Sequence, residues 1–164
     1  MSINTTWDLS RRGLAIGFIS WLGLCFTVAM LGGLFMPGEW YTQLKKPPWN
    51  PPNWIFGPVW TVLYVIMAVS AWMVWKNGRF KIQRLPLTLF LVQLFFNSLW
   101  SPIFFGLHNP LLALADILLL WSTLVGTLVV FWKVDVMAAL LLVPYGAWVT
   151  FAAVLNFTIW RLNA

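Results

Sequence analysis

The chain has 164 residues, of which 61% are hydrophobic and 9% charged, whereas a soluble domain carries about 25% charged residues. That leaves too little polar surface to coat a globule in water, so a soluble fold is excluded and a multi-span membrane protein is indicated. The formal net charge of +6 does not point to nucleic acid, because the ten Lys and Arg residues stand in short links between apolar runs, as they do when basic residues set membrane topology.

Five runs meet the length of a transmembrane helix, and the length of the chain suits one domain over residues 1–164. The first span is expected at about 14–35. Ser10-Arg11-Arg12 ahead of it resembles a secretion signal, but the run to Phe35 is too long for a signal core and lacks a small-residue cleavage site. Next comes a segment at 36–53 rich in Pro and Trp, with Pro47, Pro48, Pro51 and Pro52 around Trp49. Proline lacks the N–H and restricts the residue before it, so this segment reads as an extended, polyproline-like loop that covers one end of the bundle as a lid. The second span, about 54–75, begins inside that aromatic stretch with Pro58 tolerated in its first turn. The remaining spans are expected at about 85–105, 111–132 and 136–160. Their links are short, so sequential helices are antiparallel neighbours, and the fold class is an all-α integral membrane bundle.

Basic residues divide unequally. Arg11, Arg12, Lys76, Arg79, Lys81, Arg84 and Lys133 lie on the N-terminal side, and Lys45, Lys46 and Arg161 on the other. This places the N-terminus in the cytoplasm and the lid outside, in a bacterial plasma membrane. The single cysteine, Cys25, permits no internal disulfide, and with His108 the only histidine no protein metal site is expected.

Polar residues within spans mark the faces that avoid lipid. Gln93, Asn97 and Ser101 share one helical face, with Trp100 beside them; Asp116, Thr123 and Thr127 share another; Tyr145, Trp148, Ala152 and Asn156 a third; Trp60, Thr61 and Tyr64 a fourth. These stripes are expected to turn inward. Thr61, Ser101, Thr123 and Thr127 read as glue between helices. Asp116 reads as a hydrogen-bonded structural acid, with a proton-relay or ligand group as the alternative, and Gly13/Gly17 and Ala29/Gly33 read as sites of close packing within or between chains. Of the thirteen tryptophans, Trp7, Trp21, Trp75, Trp132 and Trp160 suit the membrane interface. Trp60 and Trp148 lie on the inward stripes. They either fill the core or line an apolar cavity for a large, flat, hydrophobic ligand.

The stretch GEWYTQLKKPPWNPPNWIFGPVWTVLY resembles the signature of the translocator protein family (the TspO or peripheral benzodiazepine receptor family). NSLWSPIFFG (97–106), ALADILLL (113–120) and PYGAWVTFAAVLN (144–156) resemble its further blocks, in order and at family spacing. The resemblance implies five transmembrane helices, homodimers, and binding of porphyrins such as protoporphyrin IX. It also implies binding of benzodiazepine-type and isoquinoline carboxamide ligands and, in animal members, of cholesterol. Carried over residue by residue, the family's ligand pocket falls on Tyr41, Pro51, Phe56, Trp60, Asn97, Trp148 and Ala152. Its tryptophans linked to light-dependent porphyrin degradation fall on Trp60 and Trp148. At the family's sterol motif Phe157 replaces the central tyrosine, which argues against tight sterol binding. The N-terminus and the short tail after Asn156 suit a bacterial member. Three functions follow from the resemblance and the residues together. One is a membrane tetrapyrrole-binding sensor, regulator or transporter that needs no cofactor and takes porphyrin as ligand. The second is a light- and oxygen-dependent porphyrin-degrading enzyme. The third is a structural partner of other membrane proteins.

Overall fold

The computed structural model describes residues 10–164, so Trp7 lies outside the described residues. Within them there are helices and no strand. Five helical stretches are long and apolar enough to cross a membrane: α1 (Arg11–Gly33), α3 (Asn53–Lys76), α5 (Arg84–Ser101, continued by a π-helical turn Pro102–Gly106), α6 (Pro110–Trp132) and α7 (Val136–Asn163). Two short helices join them, α2 (Glu39–Gln43) in the lid and α4 (Arg79–Ile82) in the link between α3 and α5. The expected spans match these helices to within three residues. The largest differences have local causes. The α1 helix starts earlier because Ser10 caps it, its Oγ accepting from the Gly13 N–H at 3.2 Å. The α7 helix runs to Asn163. Because α3 begins at Asn53, Pro58 stands in its second turn rather than its first.

Caps follow the expected chemistry. Asn109 accepts from the Leu112 N–H, with Pro110 at the first helical position of α6, and Asp135 accepts from the Ala138 N–H at the start of α7. Within the spans, most hydroxyls back-bond to their own helix, because lipid offers no other partner. Thr61, Thr123 and Thr127 do so, to Gly57, Leu119 and Thr123, so the expectation that they glue neighbouring helices is corrected. That work falls instead to Ser70, whose Oγ donates to the Ala138 carbonyl at 2.7 Å, and to Trp72, whose indole donates to the Leu14 carbonyl at 3.0 Å. They tie α3 to α7 and to α1.

The helices pack as a bundle in which α1 lies on α3 and α5, α5 on α6, α6 on α7, and α7 on α3, so α3 and α5, expected to be neighbours because of their short link, touch little. The core is continuous from Trp21 through Met67, Phe90 and Leu124 to Tyr145. Trp21 belongs to it rather than to the membrane interface: it is buried, edge-on to Phe90 and stacked on Phe80. Asp116 is buried as expected for an inward residue, yet its Oδ2 has no hydrogen-bond partner among the described residues, so the hydrogen-bonded acid is not what is found.

The lid is less uniform than its prolines suggest. Glu39–Gln43 is helical, and the Asn50 N–H donates to the Pro47 carbonyl, closing a turn over Pro48 and Trp49 in place of a continuous polyproline stretch. The lid is pinned at several points. Asn163 exchanges two hydrogen bonds with the Lys45 backbone, both at 2.9 Å. Trp40 stacks on His108 at 4.5 Å, Tyr41 meets Phe104 and Phe105, and Trp49 meets Phe151. The segment is thus folded across the end of α5, α6 and α7.

Candidate functional site beneath the lid

Under the lid lies a cavity of about 450 Å³, within the range of small-molecule sites. Every transmembrane helix contributes to its wall. Trp60 and Tyr64 come from α3, Asn97 and Trp100 from α5, Phe104 and Phe105 from the π-helical turn, Ile117 and Leu120 from α6, and Trp148, Ala152 and Asn156 from α7. From α1 come Ala29, Gly32 and Gly33, and from the lid Tyr41. The lining is largely apolar, with a few polar groups at fixed positions.

Its floor is a directional hydrogen-bond chain. The Tyr64 hydroxyl donates to Asn97 Oδ1, Asn97 Nδ2 donates to the Tyr145 hydroxyl at 3.0 Å, and that hydroxyl donates to Gln93 Oε1 at 2.9 Å. Three helices are joined through Asn97, whose amide keeps one N–H and one lone pair uncommitted. A second chain runs from the Trp100 indole to Asn156 Oδ1 and from Asn156 Nδ2 to the Pro110 carbonyl. Aromatic rings make up the sides. Trp60 lies 5.6 Å from Tyr64 and 6.3 Å from Tyr145, and Trp148 lies 5.9 Å from Phe56 and 5.5 Å from Phe151, ring centre to ring centre. The buried indole nitrogen of Trp148 has no partner among the described residues. A donor left so in an apolar wall suits an acceptor on a bound molecule.

Six of the residues carried over by resemblance, Tyr41, Phe56, Trp60, Asn97, Trp148 and Ala152, line this one cavity. Pro51 does not. Its carbonyl accepts from Asn50 Nδ2 at 3.0 Å, while Asn50 Oδ1 accepts from the Tyr41 hydroxyl at 3.1 Å, so Pro51 belongs to the brace that holds Tyr41 in place. Burial pushes the Tyr41 hydroxyl above its ordinary pKa, and the bond to Asn50 partly offsets this. Lys46 is turned onto the lid, 4.5 Å over the Tyr41 ring and donating to the Leu44 carbonyl at 3.2 Å. Sequence reading overlooked the contribution of α1. The small residues Ala29 and Gly33 were the available signal: they leave room for the cavity rather than drawing two helices together. Phe104 and Phe105 were not singled out because they depend on the π-helical turn, which shifts the residues after Ser101 around the helix axis. No group of three or more His, Cys, Asp or Glu gathers to hold a metal ion among the described residues, and the lining offers stacking, hydrogen bonding and exclusion of water.

The chain is similar to known proteins along most of its length. The profile described as TspO/MBR family matches residues 21–161. The chain is 46% identical to the tryptophan-rich protein TspO of Chlorobaculum tepidum, over 87% of this chain and 92% of the relative. It is 40% identical to the tryptophan-rich sensory protein of Cereibacter sphaeroides, over 89% and 90% respectively. It is 43% identical to the human translocator protein, over 81% and 82%.

Proposed function

The chain belongs to the TspO/MBR family, and on that premise we propose that it is a membrane receptor for a flat, apolar, acid-bearing tetrapyrrole such as protoporphyrin IX, acting as a sensor or carrier. One observation carries this reading: a ring-lined cavity beneath the lid in which Trp60, Trp148 and Phe56 offer faces and Asn97 and Trp148 offer uncommitted N–H groups. Ring contacts would each add about 0.5–1.5 kcal/mol beyond area burial, and a hydrogen bond to the ligand about 0.5–1.5 kcal/mol net. The words sensory and translocator in the relatives' names agree with a binding protein whose occupancy is read or passed on. The basic-residue count supports a reading with the lid outside and the N-terminus in the cytoplasm of a bacterial plasma membrane.

A second reading has one specific support. Trp60 and Trp148 are oxidisable rings in the cavity wall, so a bound porphyrin excited by light in the presence of oxygen would have electron donors at hand. The same experiment tests both readings. Purified protein is titrated with protoporphyrin in the dark, then illuminated with and without oxygen. A saturable shift of the Soret band in the dark is expected. Trp148→Phe keeps most of the dark affinity and lowers light-driven loss of the band, whereas Trp148→Ala weakens binding as well. No spectral change under any condition would overturn both readings and leave a structural role.

A further inference from the structure

A second hollow lies at the opposite end of the molecule from the lid, with a volume of about 550 Å³. It is walled by Gly17 and Ser20 of α1, Trp75 of α3, Arg79 and Phe80 of α4, and Leu91 of α5. At its floor α1 meets the Trp75 ring of α3. A Cβ on Gly17 would sit 2.2 Å from the Trp75 ring, so glycine there lets α1 rest on that indole. The hollow extends along α1 from Gly13 to Leu24, ~16 Å at 1.5 Å per residue. One end is charged and the rest, past Ile16, Leu24 and Leu91, is apolar.

Arg79 stands at the charged end. Its guanidinium lies 5.5 Å over the Trp75 ring, an arrangement that leaves the in-plane N–H donors to face another group. Its backbone φ is 56°, directly after Gly78 at 125°. An arginine therefore occupies a left-handed position where glycine would be unstrained, and such positions gather at ligand sites. Around it at this end of the bundle are Arg11, Arg12, Lys76, Arg84 and Lys133. The one carboxylate at this end among the described residues, Asp135, is engaged in capping α7.

The geometry points to a binding site for an anionic phospholipid, with the phosphate on Arg79 and one acyl chain lying in the hollow along α1. The match is in polarity: a cation at the water boundary and an apolar trough leading to hydrocarbon depth fit an amphiphile, whereas a free phosphate would use only the first part. A second copy of the chain fits less well, because the one described carboxylate at this end, Asp135, is engaged in capping α7 and would bring no anion to Arg79. The site is separate from the cavity beneath the lid and stands whether or not that cavity takes a porphyrin.

Native mass spectrometry of the full chain, released from nanodiscs of equal phosphatidylglycerol and phosphatidylcholine, tests this. The wild type is expected to retain phosphatidylglycerol in preference. Arg79→Gln is expected to lower that preference about fivefold, the effect of one basic residue near an anionic surface. Ser20→Trp, which fills the hollow from an exposed position, is expected to abolish retention of both lipids there. Lys133→Gln removes a charge at the same end but outside the hollow, and is expected to leave the preference unchanged. Inorganic phosphate should fail to displace the lipid. Equal losses for Arg79→Gln and Lys133→Gln would mean a diffuse basic surface and would overturn the site. So would retention unaffected by Ser20→Trp, or conversion of a dimer to a monomer by that variant with lipid retention intact. Displacement by inorganic phosphate would overturn the lipid as occupant.

Discussion

Asn97 shows how one residue serves both the fold and the site. It accepts from Tyr64 and donates to Tyr145, so it joins α3, α5 and α7 at the floor of the cavity. Removing it leaves the buried Tyr64 hydroxyl without its acceptor. Asn97→Ala is therefore expected to cost about 1–3 kcal/mol, measurable as a lower midpoint of thermal unfolding in detergent, and an unchanged midpoint would mean the chain of bonds is dispensable. The sequence made Asn97, Tyr64 and Tyr145 legible as inward residues, because polar side chains in a span seldom face lipid. It did not show that they bond to one another, since that depends on helix rotations no single span encodes. For the same reason Thr123 and Thr127 read as links between helices when their hydroxyls turn back on α6.

At the scale of the element, the spans were legible and their crossings were not. Hydropathy fixes which helices exist, but link length fixes neighbours only in part: α5, α6 and α7 pack in sequence, whereas α3 and α5, joined by a short link, touch little, and α3 lies on α1 and α7 instead. The close approach of α1 to α3 rests on Gly17 meeting Trp75, and the spacing of Gly13 and Gly17 signalled close packing without naming the partner. Gly17→Ala would force a Cβ into that ring, and an overpacking cost of about 1–3 kcal/mol is expected. Gly23, on the same helix with nothing within 4 Å of its Cβ position, should accept alanine without loss. Equal stability of the two variants would contradict the crossing described. The lid is a second such element. Its prolines predict a non-helical stretch from Pro47 to Pro52, which is found, but its anchor, Asn163, lies at the far end of the chain. Asn163→Ala is expected to leave the bundle intact and speed tryptic cleavage after Lys45 by about fivefold, the effect of losing about 1 kcal/mol of hydrogen bonding. Unchanged cleavage would mean that the aromatic contacts alone hold the lid.

The whole molecule has two unlike ends. One carries the aromatic lid and the cavity; the other carries most of the basic side chains and the hollow beside Arg79. Composition alone foretold a membrane bundle, and most of the basic residues fall at one of its ends, because a chain with so few charges keeps them where water is. Impermeant thiol labelling in intact cells, with Cys25→Ala as background, is expected to modify Gln43→Cys and not Phe80→Cys. Labelling of the second alone would reverse the orientation. The central claim is that the cavity beneath the lid is where the ligand sits. Ala152 lines that cavity from α7, and Ala152→Trp would place an indole in the space a porphyrin needs while leaving the hydrogen-bond chain through Asn97 untouched. Dark titration of protoporphyrin into the wild type and Ala152→Trp, with helix content followed in parallel, tests this most directly. The account predicts saturable binding by the wild type and its loss in a variant that remains folded; equal affinity of the two would contradict it.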